Sequence, residues 1–288
     1  MDRYRITAKH SGKCLDIPFG SGENGVNLQQ YTQSKGLNQL FILTPVYFRI
    51  IAKHSGKCLD IPFGSKENGV NIQQYTWHGG DNQLFRIEKV GDYYRIVAKH
   101  SNKCLSIPES SLENGKNLQQ YTWQEGNNQL FTLLPAFHYL FNRNQNCKII
   151  AKHSGKCLDI SQASIKDKAQ AIQWGCHEKD NQIFDIVPVY YRISPVTHPN
   201  KCLDISHGSK EDNAQVLQWS WHEGDNQLFR LERVIKMEVG IYYRIIAKHS
   251  GKCFTIPQER KEDQVSVQQY GCHGKDSQLF VFENNPTF

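Results

Sequence analysis

The chain is predicted to be all-β and built by repetition, and three observations carry that expectation. The phrase KHSGKCLDI stands at residues 9–17, 53–61 and 152–160, with near-copies KHSNKCLSI from 99, THPNKCLDI from 197 and KHSGKCFTI from 248. Its cysteine recurs at 14, 58, 104, 157, 202 and 253, at intervals of 44 to 53 residues, and repeats of that length mean solenoids, propellers or related architectures. Stretches such as Tyr47 to Ala52, Cys58 to Ile61, Val70 to Tyr75 and Leu84 to Ile87 are β-branched and aromatic-rich, Gly, Asn, Ser or Pro separates them, and no window shows helical periodicity. Four short strands in each of six units allow a six-bladed β-propeller or two β-trefoils of three units each.

Each unit runs in the same order. A Tyr-Arg-Ile strand leads into the Lys-His-Ser-Gly-Lys turn and Cys-Leu-Asp-Ile; a Glu-Asn-Gly turn leads to Val-Asn-Ile-Gln-Gln-Tyr; a last turn leads to Asn-Gln-Leu-Phe-Arg-Ile. In Cys-Leu-Asp-Ile the Leu and Ile share one strand face, so the Asp is expected on the other, pointing outward. Val70 and Ile72 alternate with Asn71, Gln73 and Tyr75 in the same way, which puts the aromatic on the polar face. Gln and Phe of the closing Gln-x-Phe persist in all six units, as expected of an amide that satisfies buried backbone groups beside a core ring.

Composition narrows the function classes. With 39% hydrophobic residues, 14 Phe, 13 Tyr and 5 Trp, the 288 residues can bury a core. The net charge of +6 comes mainly from the repeated Lys and Arg and reads as a solvated surface, so no nucleic-acid partner is expected, and no run approaches the roughly 18 apolar residues of a membrane span, so no membrane insertion is expected; a basic surface drawn to anionic polymers such as heparin or nucleic acid through Lys9, Lys13, Lys53, Lys57, Lys99 and Lys103 is the alternative. The opening MDRYRITAKH has no apolar signal segment, so cytoplasmic synthesis is expected, with release or non-classical export open. No zinc-ligand spacing, Gly-x-Ser-x-Gly or phosphate-binding Gly-x-x-x-x-Gly-Lys-Ser/Thr occurs, and six units occupy the chain, so neither an enzyme nor a cofactor is expected. Most of the twelve histidines stand either in the Lys-His-Ser-Gly-Lys turn or in the Trp-His or Cys-His pair before Asp-Asn-Gln, follow the period of the fold and read as turn residues.

Cys-Leu-Asp-Ile, then Gln-x-Tyr or Gln-x-Trp, then Asn-Gln-x-Phe, resembles the ricin B-type lectin family across all six units. The family's Gln-x-Trp signature appears here as Gln-x-Phe, at Phe41, Phe85, Phe131, Phe184, Phe229 and Phe280. The resemblance implies two tandem β-trefoil domains, placed at residues 1–137 and 138–288, with the extra residues around AFHYLFNRNQN as the linker, although a similar insertion at 233–241 argues against giving that segment special weight. It also implies a sugar site in each complete unit, made of an Asp, an aromatic, an Asn and a Gln that supports the Asp. Complete sets are Asp16, Tyr31, Asn38 and Gln39; Asp60, Tyr75, Asn82 and Gln83; Asp159, Trp174, Asn181 and Gln182; and Asp204, Trp219, Asn226 and Gln227. The third unit has Ser106 for the Asp, and the sixth has Thr255 and Ser277 for Asp and Asn, as expected where a site has been lost. Disulfides Cys157–Cys176 and Cys253–Cys272 are implied as well; at the same offset the other four units have Gln33, Trp77, Trp123 and Trp221, and nine cysteines leave at least one unpaired.

A pyranose rests its C–H face on a ring and donates rim hydroxyls to a carboxylate, so these residue types suit it. The expected function is a lectin for galactose- or N-acetylgalactosamine-terminated glycans on cell surfaces, multivalent and haemagglutinin-like. It could serve as the cell-binding subunit of a toxin with a separate partner protein. The alternative is a trefoil protein-interaction module or inhibitor that binds no sugar.

Overall fold

A computed structural model describes residues 2–135, 145–235 and 241–285. The described residues form strands joined by turns and single-turn 3-10 segments, and no helix among them is long and apolar enough to cross a membrane. In the second repeat, Cys58–Asp60 pairs antiparallel with Gln73–Tyr75, setting Cys58 against Tyr75 and Asp60 against Gln73. Pairing of Cys14 with Tyr31, Cys104 with Tyr121, Cys157 with Trp174, Cys202 with Trp219 and Cys253 with Tyr270 repeats that register.

The repeats gather into two compact units, but not at the expected boundary. One unit is Tyr47–Val189; the other is Met1–Val46 together with Tyr190–Phe288. Three Gln-x-Phe rings, Phe85, Phe131 and Phe184, meet in the core of the contiguous unit, and Phe41, Phe229 and Phe280 meet in the core of the discontinuous one. Repeats 2, 3 and 4 therefore make one trefoil, and repeats 5, 6 and 1 make the other.

Buried glutamines write the same grouping in hydrogen bonds. The amide of Gln74 (repeat 2) donates to the carbonyls of Ser164 and Lys166 in repeat 4. Gln120 donates to Ser65 and Glu67 of repeat 2, and Gln173 to Ser111 and Glu113 of repeat 3, which closes a ring of three. In the other unit Gln30 reaches Arg260 and Glu262, Gln218 reaches Ser21 and Glu23, and Gln269 reaches Ser209 and Glu211. Such buried amides satisfy carbonyls that would otherwise be orphaned. The serine of the repeated turn holds the glutamine in place, Ser55 Oγ donating to Gln74 Oε1 at 2.7 Å, and the preceding His54 bonds the Ser164 carbonyl. The KHSGK phrase thus recurs because it positions the amide that joins one repeat to the next.

The boundary expected at 137/138 fails for a physical reason. Phe131–Leu134 pairs with Gln145–Ala151 (Leu134 opposite Lys148), so the strands on both sides of the long insertion belong to one unit; most of the expected linker, residues 136–144, lies outside the described residues. Across the insertion near 233–241, Ile235 likewise pairs with Ile241. The chain passes between units along two uninterrupted strands, Leu40–Ala52 and Phe184–Pro195, each carrying a proline, Pro45 or Pro188, just before the boundary. Proline has no N–H for the ladder, so pairing stops and resumes with a new partner. Leu40 to Ile42 pair with Arg5 to Arg3, whereas Phe48 pairs with Phe85. The discontinuous unit is closed by Arg3–Ala8 pairing with the last strand, from Tyr4 opposite Asn284 to Ala8 opposite Phe280.

Cys157–Cys176 and Cys253–Cys272 are bonded, while Cys14, Cys58, Cys104, Cys147 and Cys202 are free and buried. Where tryptophan stands at the second cysteine's position, an arginine lies over its ring: Arg49 over Trp77 at 5.5 Å, Arg95 over Trp123 at 5.1 Å and Arg192 over Trp221 at 5.4 Å.

Candidate functional site

Within each repeat the strand pair and two turns converge on the aspartate. Leu and Ile of Cys-Leu-Asp-Ile enter the core as predicted (Leu59 and Ile61, for example), and the Asp takes the opposite face. It does not project to solvent, which corrects the expectation from strand alternation. Asp16, Asp60, Asp159 and Asp204 are only 3% to 4% exposed, because the turn that follows and the Asn-Gln turn of the last strand fold over them. The carboxylate is a floor.

Its hydrogen bonds explain how it tolerates burial. Asp16 Oδ2 accepts from Asn38 Nδ2 at 2.8 Å and Gln39 Nε2 at 3.1 Å, and Oδ1 accepts from Gln29 Nε2 at 2.9 Å. Asp60 accepts from Asn82 and Gln73 at 2.9 Å each, and His78 Nε2 lies 3.3 Å away. Asp159 accepts from Asn181 at 3.0 Å and Gln182 at 2.8 Å, with His177 Nε2 at 3.3 Å. Asp204 accepts from Asn226 at 3.0 Å, with His222 Nε2 at 3.2 Å. An ionised carboxylate offers about four acceptor positions, so Asp16, with three donors, still has room for a ligand hydroxyl. Burial pushes the carboxyls of Asp159 and Asp204 above the usual range, against the lowering effect of these same amide and imidazole partners.

The aromatic sits over this floor with a face open to solvent. Trp174 and Trp219 are 43% and 41% exposed, and Tyr31 and Tyr75 are half-buried. Asp159, Trp174, Asn181 and His177 line one cleft of about 570 Å³; Asp204, Trp219, Asn226 and His222 line another of about 360 Å³; Asp16, Tyr31, Asn38 and Gln39 line a third of about 400 Å³. These volumes suit a small ligand. Gln39, Gln182 and Gln227 brace the aspartates of repeats 1, 4 and 5 from beneath, whereas in repeat 2 Asn82 and Gln73 hold Asp60 and Gln83 bonds the Thr76 carbonyl. In the cleft of repeat 4, Asn181 Oδ1 is buried and has no protein partner, an acceptor ready for a donor from outside.

Repeats 3 and 6 retain the turns without the charge. Ser106 Oγ accepts from Asn128, and Thr255 Oγ1 accepts from Gln278 at 2.8 Å. The cleft of repeat 6 persists, lined by Thr255, Tyr270, His273 and Ser277.

A family model described as ricin-type β-trefoil lectin domain-like matches residues 1–75, 37–121, 81–150, 127–219, 189–241 and 225–288, and so covers the chain from end to end. The chain belongs to the ricin-type β-trefoil lectin-like family. Among solved structures, the designed threefold-symmetric protein ThreeFoil is similar at 38% identity, covering 50% of this chain and 99% of its own, with a TM-score of 0.46. The C-half of an earthworm R-type lectin, solved in complex with GalNAc, is similar at 20% identity over 50% of this chain and 99% of its own, with a TM-score of 0.39. An exo-β-1,3-galactanase from Clostridium thermocellum matches at 26% identity over 62% of this chain and 38% of its own, with a TM-score of 0.46. No curated protein matches the chain.

For this ricin-type chain, the sequence reading missed the histidines. His78, His177 and His222 reach the buried carboxylates of three of the four sites, although they were read as turn residues because they recur with the fold. A site built once per repeat recurs with the same period, so periodicity could not separate the two roles, and neither could a constant offset from the aspartate, which the turn histidines His10, His54, His153 and His198 share. Five of the six turn lysines are engaged with acids, Lys9 with Asp276, Lys13 with Asp263, Lys53 with Asp180, Lys57 with Asp167 and Lys99 with Asp81, and Lys103 donates to the Thr122 hydroxyl. That pairing works against an anion-binding surface. Among the described residues, no group of three or more His, Cys, Asp or Glu side chains is placed to hold a metal ion.

Proposed function

We propose that the protein is a multivalent lectin for galactose- or N-acetylgalactosamine-terminated glycans, binding through the pockets of repeats 1, 2, 4 and 5. The observation that carries this reading is the pairing of a buried, hydrogen-bonded carboxylate with an open aromatic face, together in one cleft in repeats 1, 4 and 5. In this reading the ring takes the C–H face of the sugar, the carboxylate accepts from adjacent hydroxyls, Asn fixes the carboxylate and offers its carbonyl, and Gln braces from below. His78, His177 and His222 orient the acid and offer a further polar contact at the rim.

A shallow monosaccharide site of this kind is worth about −4 kcal/mol, a dissociation constant near millimolar. Each compact unit carries two of the four acidic pockets, and linked sites raise avidity on a glycan-coated surface by about two to four orders of magnitude. Agglutination of cells is therefore expected. A role as the cell-binding subunit of a toxin is compatible with this activity and is tested by whether a second polypeptide co-purifies. The test of the central reading is a glycan array with the intact chain, repeated with excess free galactose. Hits confined to galactose-type termini and abolished by the sugar support it, and a blank array favours a protein-interaction module.

A further inference from the structure

The four acidic pockets fall into two pairs. Facing the aspartate across the strand pair, repeats 1 and 2 have Gln29 and Gln73, which donate to Asp16 and Asp60, whereas repeats 4 and 5 have Ile172 and Leu217, which line their clefts. The open ring is Tyr31 or Tyr75 in the first pair and the larger Trp174 or Trp219 in the second. The third difference lies in the turn after the aspartate, where repeats 1 and 2 carry Phe19 and Phe63 and repeats 4 and 5 carry Gln162 and His207.

That turn position has a left-handed backbone in every repeat, with φ of 56° at Phe19, 58° at Phe63, 54° at Glu109, 56° at Gln162, 54° at His207 and 54° at Gln258. It also sits at the pocket wall: Phe19, Gln162, His207 and Gln258 each line the cleft of their own repeat. Phe19 and Phe63 are fully exposed, at 101% each. A bulky ring at a backbone conformation that L side chains adopt only at a cost, packed against nothing, does not help the fold. Polar or flexible residues occupy the same position elsewhere, so neither does the turn require it.

Apolar surface is thus redistributed between the pairs. Beside Ile172 or Leu217 it lies deep in the pocket, under the terminal sugar. Beside Phe19 or Phe63 it lies at the lip, while the floor is polar and the glutamine takes an acceptor position on the carboxylate that Ile172 and Leu217 cannot fill. We propose that the protein carries two kinds of sugar pocket, one of each kind in every compact unit. The Phe19 and Phe63 pockets select a galactoside extended by a second hexose, whose C–H face rests on the phenylalanine; the Trp174 and Trp219 pockets take the terminal sugar alone. This rests on the galactose-binding reading above, and it turns the chain from a cluster of equal sites into a reader of two glycan determinants.

The test isolates each pair in the intact chain. Asp159→Asn with Asp204→Asn leaves the phenylalanine pockets, and Asp16→Asn with Asp60→Asn leaves the tryptophan pockets. Each protein is titrated calorimetrically with methyl β-galactoside and with methyl β-lactoside. The phenylalanine pockets should prefer the lactoside by about threefold to tenfold, the range that stacking against one ring supplies, and the tryptophan pockets should show no such preference. Adding Phe19→Ala and Phe63→Ala should abolish the preference, and Gln162→Phe should create it in repeat 4. Equal lactoside-to-galactoside ratios in the two proteins, or a preference that survives Phe19→Ala and Phe63→Ala, overturns the inference while leaving galactose binding intact. Failure of both glycosides to bind the unsubstituted chain removes the galactose reading and this inference with it.

Discussion

Excising residues 47–189 should yield a folded, two-pocket trefoil, whereas residues 1–137, the division expected from the linear order of repeats, should not fold. The magnitude follows from the core. The 47–189 excision keeps Phe85, Phe131 and Phe184 together, along with the closed ring of Gln74, Gln120 and Gln173 bonds. Residues 1–137 hold repeats 2 and 3 without Leu158, Ile160, Phe184 and Ile186, all buried in the shared core. Truncating one such side chain costs about 2 to 5 kcal/mol, so losing four costs about 10 kcal/mol or more, comparable with the whole stability of a domain. Repeat 1 in that fragment also lacks the Arg260 and Glu262 carbonyls that Gln30 engages, at 3.0 and 2.8 Å. Urea unfolding followed by tryptophan fluorescence measures the outcome, since Trp77, Trp123 and Trp174 all lie in the 47–189 fragment. A cooperative transition for residues 1–137 together with none for 47–189 would refute the assignment of repeats to cores.

Four further outcomes are expected. A chain carrying Asp16→Asn, Asp60→Asn, Asp159→Asn and Asp204→Asn should lose galactose binding by at least about tenfold per site while keeping a cooperative melt, each change replacing a charge-assisted bond to the ligand worth about 1.5 to 3 kcal/mol; undiminished binding would show that the pockets have been misassigned. Because Asp159 and Asp204 have carboxyl pKa values raised by burial, the folded chain takes up protons there before the unfolded chain does. Acidification through that window should therefore weaken sugar binding in repeats 4 and 5 while relieving the stability penalty of the two buried charges. Thermal midpoints and galactose titrations of the wild type against Asp159→Asn with Asp204→Asn, across about pH 6 to about pH 3, check both signs, and a difference that is flat with pH refutes them. Finally, a thiol reagent should leave native Cys58, Cys104, Cys147 and Cys202 unmodified, since burial pushes the first two thiols to about 11 and the last two to about 12. Reducing the bond between Cys157 and Cys176 should cost about 3 kcal/mol, read from the shift in the urea midpoint.

The architecture was legible because core residues obey a period that no tertiary contact can conceal. The phenylalanines of Gln-x-Phe and the Leu and Ile beside each Asp went where alternation put them. Which three repeats share a core was not legible, since that choice lies in where pairing partners change, at Pro45 and Pro188, and a proline reads alike whether it ends a ladder or merely borders one. Alternation also placed the aspartates on the correct face without showing what covers it. Asn38 and Gln39, distant in sequence from Asp16, turn that face into a pocket floor. Phe19 and Phe63 passed unnoticed because, beside a proline and a glycine, a hydrophobic residue in a short run looks like core until its backbone angle and exposure are seen.

The insertion of one trefoil's sequence into that of the other sets an order of assembly during synthesis. Repeats 2, 3 and 4 are consecutive and can close their ring as soon as Val189 has left the ribosome. Repeat 1 is made earliest and completed last, because its strand Arg3–Ala8 waits for the partner that ends at Asn284. Until then it is an open edge on a growing chain, the kind of surface that chaperones shield and neighbouring nascent chains can capture.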